Sequence, residues 1–296
     1  MTRAIIVHGG AWSIPDDLVE AHRRGVLAAV EGGWQVLQQG GTALDAVVRA
    51  ITIMELDPTF DAGVGAFLNA DGNVELDAGL MDGTTLRVGA VGAIQLIKTP
   101  IVVARRLLED GRHSFLVGEG ALRYARQAGI EDCRMEELIV DRERRLWESI
   151  KARGAEATVP DVFGTVGAVA VDACQNIAAG TSSGGVPFKL PGRIGDTPLV
   201  GCGFYADSAY SGASVTGIGE AIMRILVAKR AVDLVAAGHH PQEAAEATVR
   251  HLRDRVGGRG GIIVMDKRGE IGYAFNTPRM AYAYRREGMV TSVVGV

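Results

Sequence analysis

The feature that most constrains this chain is Gly164-Thr165-Val166-Gly167-Ala168-Val169-Ala170-Val171, an apolar strand-like run that begins abruptly in mid-sequence. Thr165 carries a hydroxyl and follows a glycine. A cut between Gly164 and Thr165 would put a nucleophilic hydroxyl and a free α-amine on one residue, a pairing that activates threonine. An α-amine titrates near about 7.7–8.0, against about 10.4 for lysine, so much of it is available as a base close to neutrality. β-Propensity alone also explains a threonine that opens a strand, so the residues around it must decide.

The pattern restarts at this point as if a second chain began. Thr165–Val171 alternates, Asp172–Asn176 is turn-like and Ile177–Thr181 continues as a strand. Half of the residues between Met135 and Glu156 are charged, which fits either a solvated surface helix or a mobile linker presenting the cut site. Upstream, Ala4–Val7 reads as a buried strand that ends in a turn at His8-Gly9-Gly10. Helices are expected from about Leu18 to Gln39, from Thr42 (an N-cap with Asp45 three residues on), from Pro100 to Leu108 and from Gly118 to Ala128. Residues 58–87 read as glycine-punctuated hairpins or loops, and Val88–Ile97 as a strand. Downstream, Glu220–Ala237 and Pro241–Val256 are expected to be helices, and Ile262–Asp266 with Ile271–Phe275 a closing hairpin. Strands at both ends of each half, with helices between, predict an α+β chain: two antiparallel sheets packed face to face between helical layers, in one domain spanning 1–296.

Bulk properties remove several classes. The net charge of −4 offers no basic field for nucleic acid or an anionic membrane. No window is long and apolar enough to span a bilayer. Cys133, Cys174 and Cys202 are odd in number and widely spaced, so free thiols and a cytoplasmic location are expected. The six histidines show no metal-ligand spacing, and no phosphate-binding loop is present. With 40 glycines against 9 prolines, close backbone approaches are expected to shape the site.

Three segments could complete a threonine-centred site. Arg193 and Asp196, in Leu190–Pro198, can clamp a carboxylate and an ammonium, the two charges on an amino acid's α-carbon; a plain surface ion pair is the competing reading. Thr216-Gly217-Ile218-Gly219-Glu220 precedes a helix and can offer a hydroxyl and N–H groups to an oxyanion. Thr181-Ser182-Ser183-Gly184-Gly185 adds hydroxyls on a tight turn.

These segments, with His8-Gly9-Gly10-Ala11, Gly63-Val64-Gly65-Ala66, Glu75-Leu76-Asp77-Ala78, Met81-Asp82-Gly83 and Phe275-Asn276-Thr277, resemble the plant-type asparaginase and isoaspartyl peptidase family of N-terminal-nucleophile hydrolases. The likeness runs over nearly the whole chain. It implies a four-layer αββα sandwich and self-cleavage into an α chain, 1–164 (linker about 135–162), and a β chain, 165–296. Two such heterodimers are expected to assemble. The substrates implied are β-aspartyl dipeptides and L-asparagine.

By the same resemblance Gly164-Thr165 is the scissile bond and Thr165 the nucleophile. Ser183 supports it, Thr216 and Gly217 form the oxyanion hole, and Arg193, Asp196 and the Gly219 carbonyl hold the substrate. No organic cofactor is expected. A structural sodium ion is implied, bound through backbone carbonyls of Met54, Glu55, Asp57, Phe60, Ala62 and Val64. Ser183 stands where the family usually has threonine, keeping the hydroxyl but losing a methyl. Asp61 stands where an asparagine is usual, replacing an amide donor with a group that only accepts when ionised. That substitution suggests a preference for a basic second residue, as in β-aspartyl-arginine. The competing readings are a glycosylasparaginase-like amidohydrolase and a processing-impaired homologue serving as amino-acid sensor or scaffold.

Overall fold

The computed structural model describes residues 2–154 and 164–296. The first half supplies β1 (Ala4–Trp12), α1 (Val19–Gln38), α2 (Ala43–Glu55), β2 (Leu76–Asp82), β3 (Arg87–Ile94), α3 (Pro100–Asp110), β4 (Phe115–Val117), α4 (Gly118–Gln127) and α5 (Asp141–Arg153). The second half supplies β5 (Val166–Val171), β6 (Ile177–Ser183), β7 (Phe204–Asp207), β8 (Ser211–Gly217), α6 (Gly219–Met223), α7 (Val227–Ala236), α8 (Pro241–Val256), β9 (Gly260–Asp266), β10 (Ile271–Phe275), β11 (Arg279–Arg286) and β12 (Val293–Gly295).

Eight strands form one sheet in the order β12-β11-β1-β5-β6-β2-β3-β4, and four form a second in the order β10-β9-β8-β7. The expectation of two antiparallel sheets is corrected in the first, where β4 runs parallel to β3. The chain reaches β4 through α3, and a helical crossover is how parallel neighbours are joined.

Side-chain parity explains the layering. Successive residues of a strand point to opposite faces. Ile5 and Val7 of β1, with Ala168 and Ala170 of β5, enter a core shared with α1, α2 and α3. Their neighbours Ala4, Ile6, Val169 and Val171 instead meet Ile177 and Ala179 of β6, Phe204 of β7, and Ile263 and Met265 of β9 between the sheets. On the far side of the second sheet, Ala213 and Val215 of β8 pack with Ala228, Ala231 and Val232 of α7 and with Ala245, Val249 and Leu252 of α8. Thr165, Ser183, Ser214 and Thr216 have the parity that points into the gap between sheets.

Thr42 caps α2 as its spacing predicts: Asp45 N donates to its Oγ1 at 3.1 Å and the Asp45 carboxylate accepts from Thr42 N at 3.2 Å, a motif worth about 1 kcal/mol. Three other expectations change. His8-Gly9-Gly10 is not a turn; β1 runs through it to Trp12, with a bulge between His8 and Ala11. The helix expected over Glu220–Ala237 is two, because Leu226 adopts φ 50. There the loop carbonyls of Cys202 and Gly201 take Ala228 N and Lys229 N, so tertiary contacts cap α7. The charged stretch resolves towards the helix reading over α5. Trp147 Nε1 donates to the Asn69 carbonyl at 2.9 Å, and Ile150 is buried. The remainder of the expected linker, 155–162, lies outside the described residues. All three cysteines are unpaired.

Candidate active site

Thr165 is buried at the head of β5, between β1 and β6. Its hydroxyl donates to Ser183 Oγ at 3.0 Å. Ser183, the last residue of β6, also accepts Gly185 N at 2.9 Å and lies 3.5 Å from Asp61 Oδ2. Asp61 is anchored from two sides: its Oδ1 accepts Phe67 N at 2.8 Å and its carbonyl accepts Gly184 N at 3.0 Å. Gly164 packs so closely on Asp61 that a Cβ would collide with the Asp61 side chain. The residue before Thr165 must be glycine for this approach. Burial pushes the Asp61 carboxyl well above the usual carboxylate range.

On the other flank, Gly185 brings the Arg193 guanidinium near the Ser183 turn; a Cβ there would lie 3.3 Å from Nη1. Arg193 does not pair with Asp196. It makes a two-pronged contact with Glu220, Nε to Oε1 at 2.9 Å and Nη2 to Oε2 at 2.8 Å. Asp196 is buried, and its Oδ2 has no hydrogen-bond partner among the described residues. Burial lifts its pKa to about 7, tempered by Arg193. Gly219 is where both come together: a Cβ would stand 2.9 Å from Arg193 Nη2 and 3.0 Å from Asp196 Oδ1. A guanidinium and an unsatisfied carboxylate around a side-chain-free backbone suit a small zwitterion.

Thr216 is fully buried in β8, and Gly217 ends the strand at φ 146. A side chain on Gly217 would collide with the Arg259 carbonyl, so glycine is required there. Of the sequence-predicted residues, Thr165, Ser183 and Asp61 are thus joined by hydrogen-bond contacts, Arg193, Asp196 and Gly219 crowd together beyond Gly185, and Thr216 and Gly217 precede Gly219 in the chain.

Two further buried charged groups, given no role by the sequence reading, lie nearby. Asp77 lies opposite Ser183 in the β2–β6 ladder. It is buried, accepts Ala93 N at 2.8 Å and has its carboxyl pKa raised by burial. Lys189 is buried too, donating to the Glu75 carbonyl at 2.9 Å. Alternation within Glu75-Leu76-Asp77 was the available signal, since it turns Asp77 to the inner face of β2. Nothing local marked Lys189.

The segment Met54, Glu55, Asp57, Phe60, Ala62 and Val64 leaves the end of α2 as a tight loop. The Glu55 carbonyl accepts Val64 N at 2.7 Å, and the carbonyls of Glu55 and Lys98 crowd Gly63, which has φ 59. Among the described residues no cluster of His, Cys, Asp or Glu is arranged to ligate a metal. A cavity of about 220 Å³ opens beside Gly164, lined by Trp12, Leu18, Phe67 and Leu146 together with His22, Asp61 and the ion-paired Arg142 and Glu143.

A buried hydroxyl pair with a guanidinium and a buried carboxyl nearby suits a class, the amide-cleaving hydrolases, and sequence comparison narrows it. A family model described as asparaginase matches residues 1–294, and the chain belongs to that family. It is 42% identical over 296 residues to a Bos taurus isoaspartyl peptidase/L-asparaginase, covering 99% of this chain and 96% of that protein. A Danio rerio isoaspartyl peptidase/L-asparaginase is 41% identical, with 97% and 94% covered. A Pyrococcus abyssi plant-type L-asparaginase is 42% identical, with 99% of each chain covered. No helix among the described residues is long and apolar enough to cross a membrane.

Proposed function

We propose that this chain is a threonine hydrolase, activated by its own cleavage between Gly164 and Thr165, that releases aspartate from β-aspartyl dipeptides and from L-asparagine. The observation that carries this is the buried Thr165–Ser183 hydroxyl pair at 3.0 Å, directly behind Gly164 and beside the Arg193–Asp196 clamp.

Arg193 would take the substrate α-carboxylate, and Asp196, with the Gly219 carbonyl, the α-ammonium. The β-carbonyl then lies before Thr165. Its Oγ attacks while its α-amine takes the hydroxyl proton. Thr216 and Gly217 stabilise the oxyanion. The C–N bond breaks as the leaving amine gains a proton, and water hydrolyses the resulting ester. In activation the same hydroxyl attacks the Gly164 carbonyl, an N-to-O acyl shift that water completes.

The leaving residue is assigned to the cavity beside Gly164. Its apolar walls suit an aliphatic stem, and since Arg142 already pairs with Glu143, Asp61 is the carboxyl left to meet a cationic tip, which is the basis for reading a basic second residue such as arginine. The three apolar layers support the four-layer αββα arrangement of N-terminal-nucleophile hydrolases. A sodium ion on the Met54–Val64 carbonyls, a dimer of αβ units and a cytoplasmic site of action complete the proposal; a carbonyl with one hydrogen bond keeps a second lone pair for an ion.

The deciding experiment pairs intact mass with hydrolysis. Wild-type protein should separate under denaturing conditions into residues 1–164 and 165–296 and release aspartate from β-Asp dipeptides. Thr165→Ala should do neither, and hydrolysis by that variant would refute the proposal.

A further inference from the structure

Thr165 is held through its backbone as well as its side chain. His8 is fully buried on β1, opposite Gly167 of β5, and reaches into the gap between the sheets. Its Nδ1 lies 3.1 Å from the Thr165 carbonyl oxygen and its Nε2 lies 2.8 Å from Ser214 Oγ on β8. A carbonyl only accepts, so Nδ1 carries the proton and donates. Burial lowers the His8 pKa to about 3, so the ring is neutral near pH 7 and Nε2 presents a lone pair. The single Ser214 proton is therefore drawn to Nε2, ahead of the Gly180 carbonyl at 3.2 Å. Gly167 makes this meeting possible, because a side chain there would collide with both Ser214 Oγ and His8 Nε2.

The bridge links the two strands on which the reaction is assigned. Ser214 and Thr216 are two residues apart on β8 and share its inner face. We propose that His8, oriented by Ser214, is a positioning residue that sets the spacing between the nucleophile Thr165 and the oxyanion strand carrying Thr216. This rests on reading Thr165 as the nucleophile. The bond between Gly164 and Thr165 takes no part in it, so the bridge serves both self-cleavage and turnover.

The test compares full-length His8→Phe, His8→Asn and Ser214→Ala with wild type, with kcat expressed per mature site from intact mass. His8→Phe keeps the ring volume but removes the donor. It should slow self-cleavage and lower kcat about tenfold to a hundredfold, as small misplacements of reacting groups do. KM should stay within about twofold, because Arg193 and Asp196 are untouched. His8→Asn, which restores a donor at the Nδ1 position, should recover most of the loss. The pH–rate profiles should keep the wild-type shape, since the ring carries no proton in the reaction. Wild-type kcat in folded His8→Phe, a loss appearing only in KM, or disappearance of one pH limb would each overturn the proposal.

If His8→Phe does not fold, Ser214→Ala opens the bridge from its far end with little change in volume. It should lower kcat several-fold and change the ¹⁵N signal of His8 Nε2. No change in either refutes the bridge. Hydrolysis by Thr165→Ala is a different result, removing the nucleophile assignment itself.

Discussion

The Thr165 hydroxyl donates to Ser183 Oγ at 3.0 Å, which commits its proton to that contact. Ser183 is fixed in turn by Gly185 N, so the pair is set before any substrate arrives. Ser183→Ala should therefore lower kcat by about a hundredfold with little change in KM, and Ser183→Thr should retain activity. Steady-state kinetics with a β-Asp dipeptide decide this; wild-type kcat in Ser183→Ala would show that the contact is incidental.

Thr216→Val replaces a buried hydroxyl with a methyl of nearly equal volume. If the hydroxyl stabilises the oxyanion, kcat should fall by about 10²–10³ while thermal unfolding still shows a cooperative transition. Normal turnover would place the oxyanion elsewhere.

Asp61 should make activity depend on pH in a direction that burial dictates. Its native pKa is raised, chiefly by desolvation. The protonated carboxyl, which can donate as an amide does, is favoured at low pH and lost as pH rises through the native value. Its contribution to stability follows the same course: fully present below the ordinary carboxylate range, and gone above the raised one. Asp61→Asn should flatten this alkaline decline in both Tm and self-cleavage rate. A decline that persists unchanged in Asp61→Asn assigns it to another group.

A cationic leaving residue opposes that protonation. The kcat/KM ratio of β-Asp-Arg to β-Asp-Leu should exceed one and rise with pH in wild type, then collapse in Asp61→Asn. Equal values for the two dipeptides, or a preference for leucine, would reject the basic-residue reading.

Glu220 holds Arg193 through two hydrogen bonds from a largely exposed position. Surface pairs contribute at most about 1 kcal/mol, so Glu220→Gln should raise KM by about fivefold or less and leave kcat alone. A large loss of kcat would mean that Glu220 touches the reaction.

Much of this was legible in the residues, for identifiable reasons. The strand from Thr165 and the capped helix from Thr42 are local patterns, and the helix and strand periods report them faithfully. Glycines mark the close approaches around the candidate site, as at Gly164, Gly185, Gly217 and Gly219. What stayed hidden was set by distant contacts. Glycines at positions 9 and 10 suggested a turn, yet pairing with β5 and β11 carries β1 through them, with the irregularity absorbed as a bulge at Gly10, φ 95. The break at Leu226 carries no glycine or proline, because its cause is a loop more than twenty residues earlier in the chain. The competing reading of an Arg193–Asp196 ion pair fails for the same reason: Arg193 pairs with Glu220, which is remote in sequence.

The strand order has a consequence for a chain cut in this way. Along the large sheet, β11 and β12 belong to the second half, β1 to the first, β5 and β6 to the second, and β2, β3 and β4 to the first. The halves are interleaved like fingers of two hands, with three seams of main-chain bonding between them. A single nick after Gly164 would leave the fragments locked together, and parting them would require unravelling the molecule. Maturation of this kind exposes an amine while sacrificing almost none of the framework that aims it.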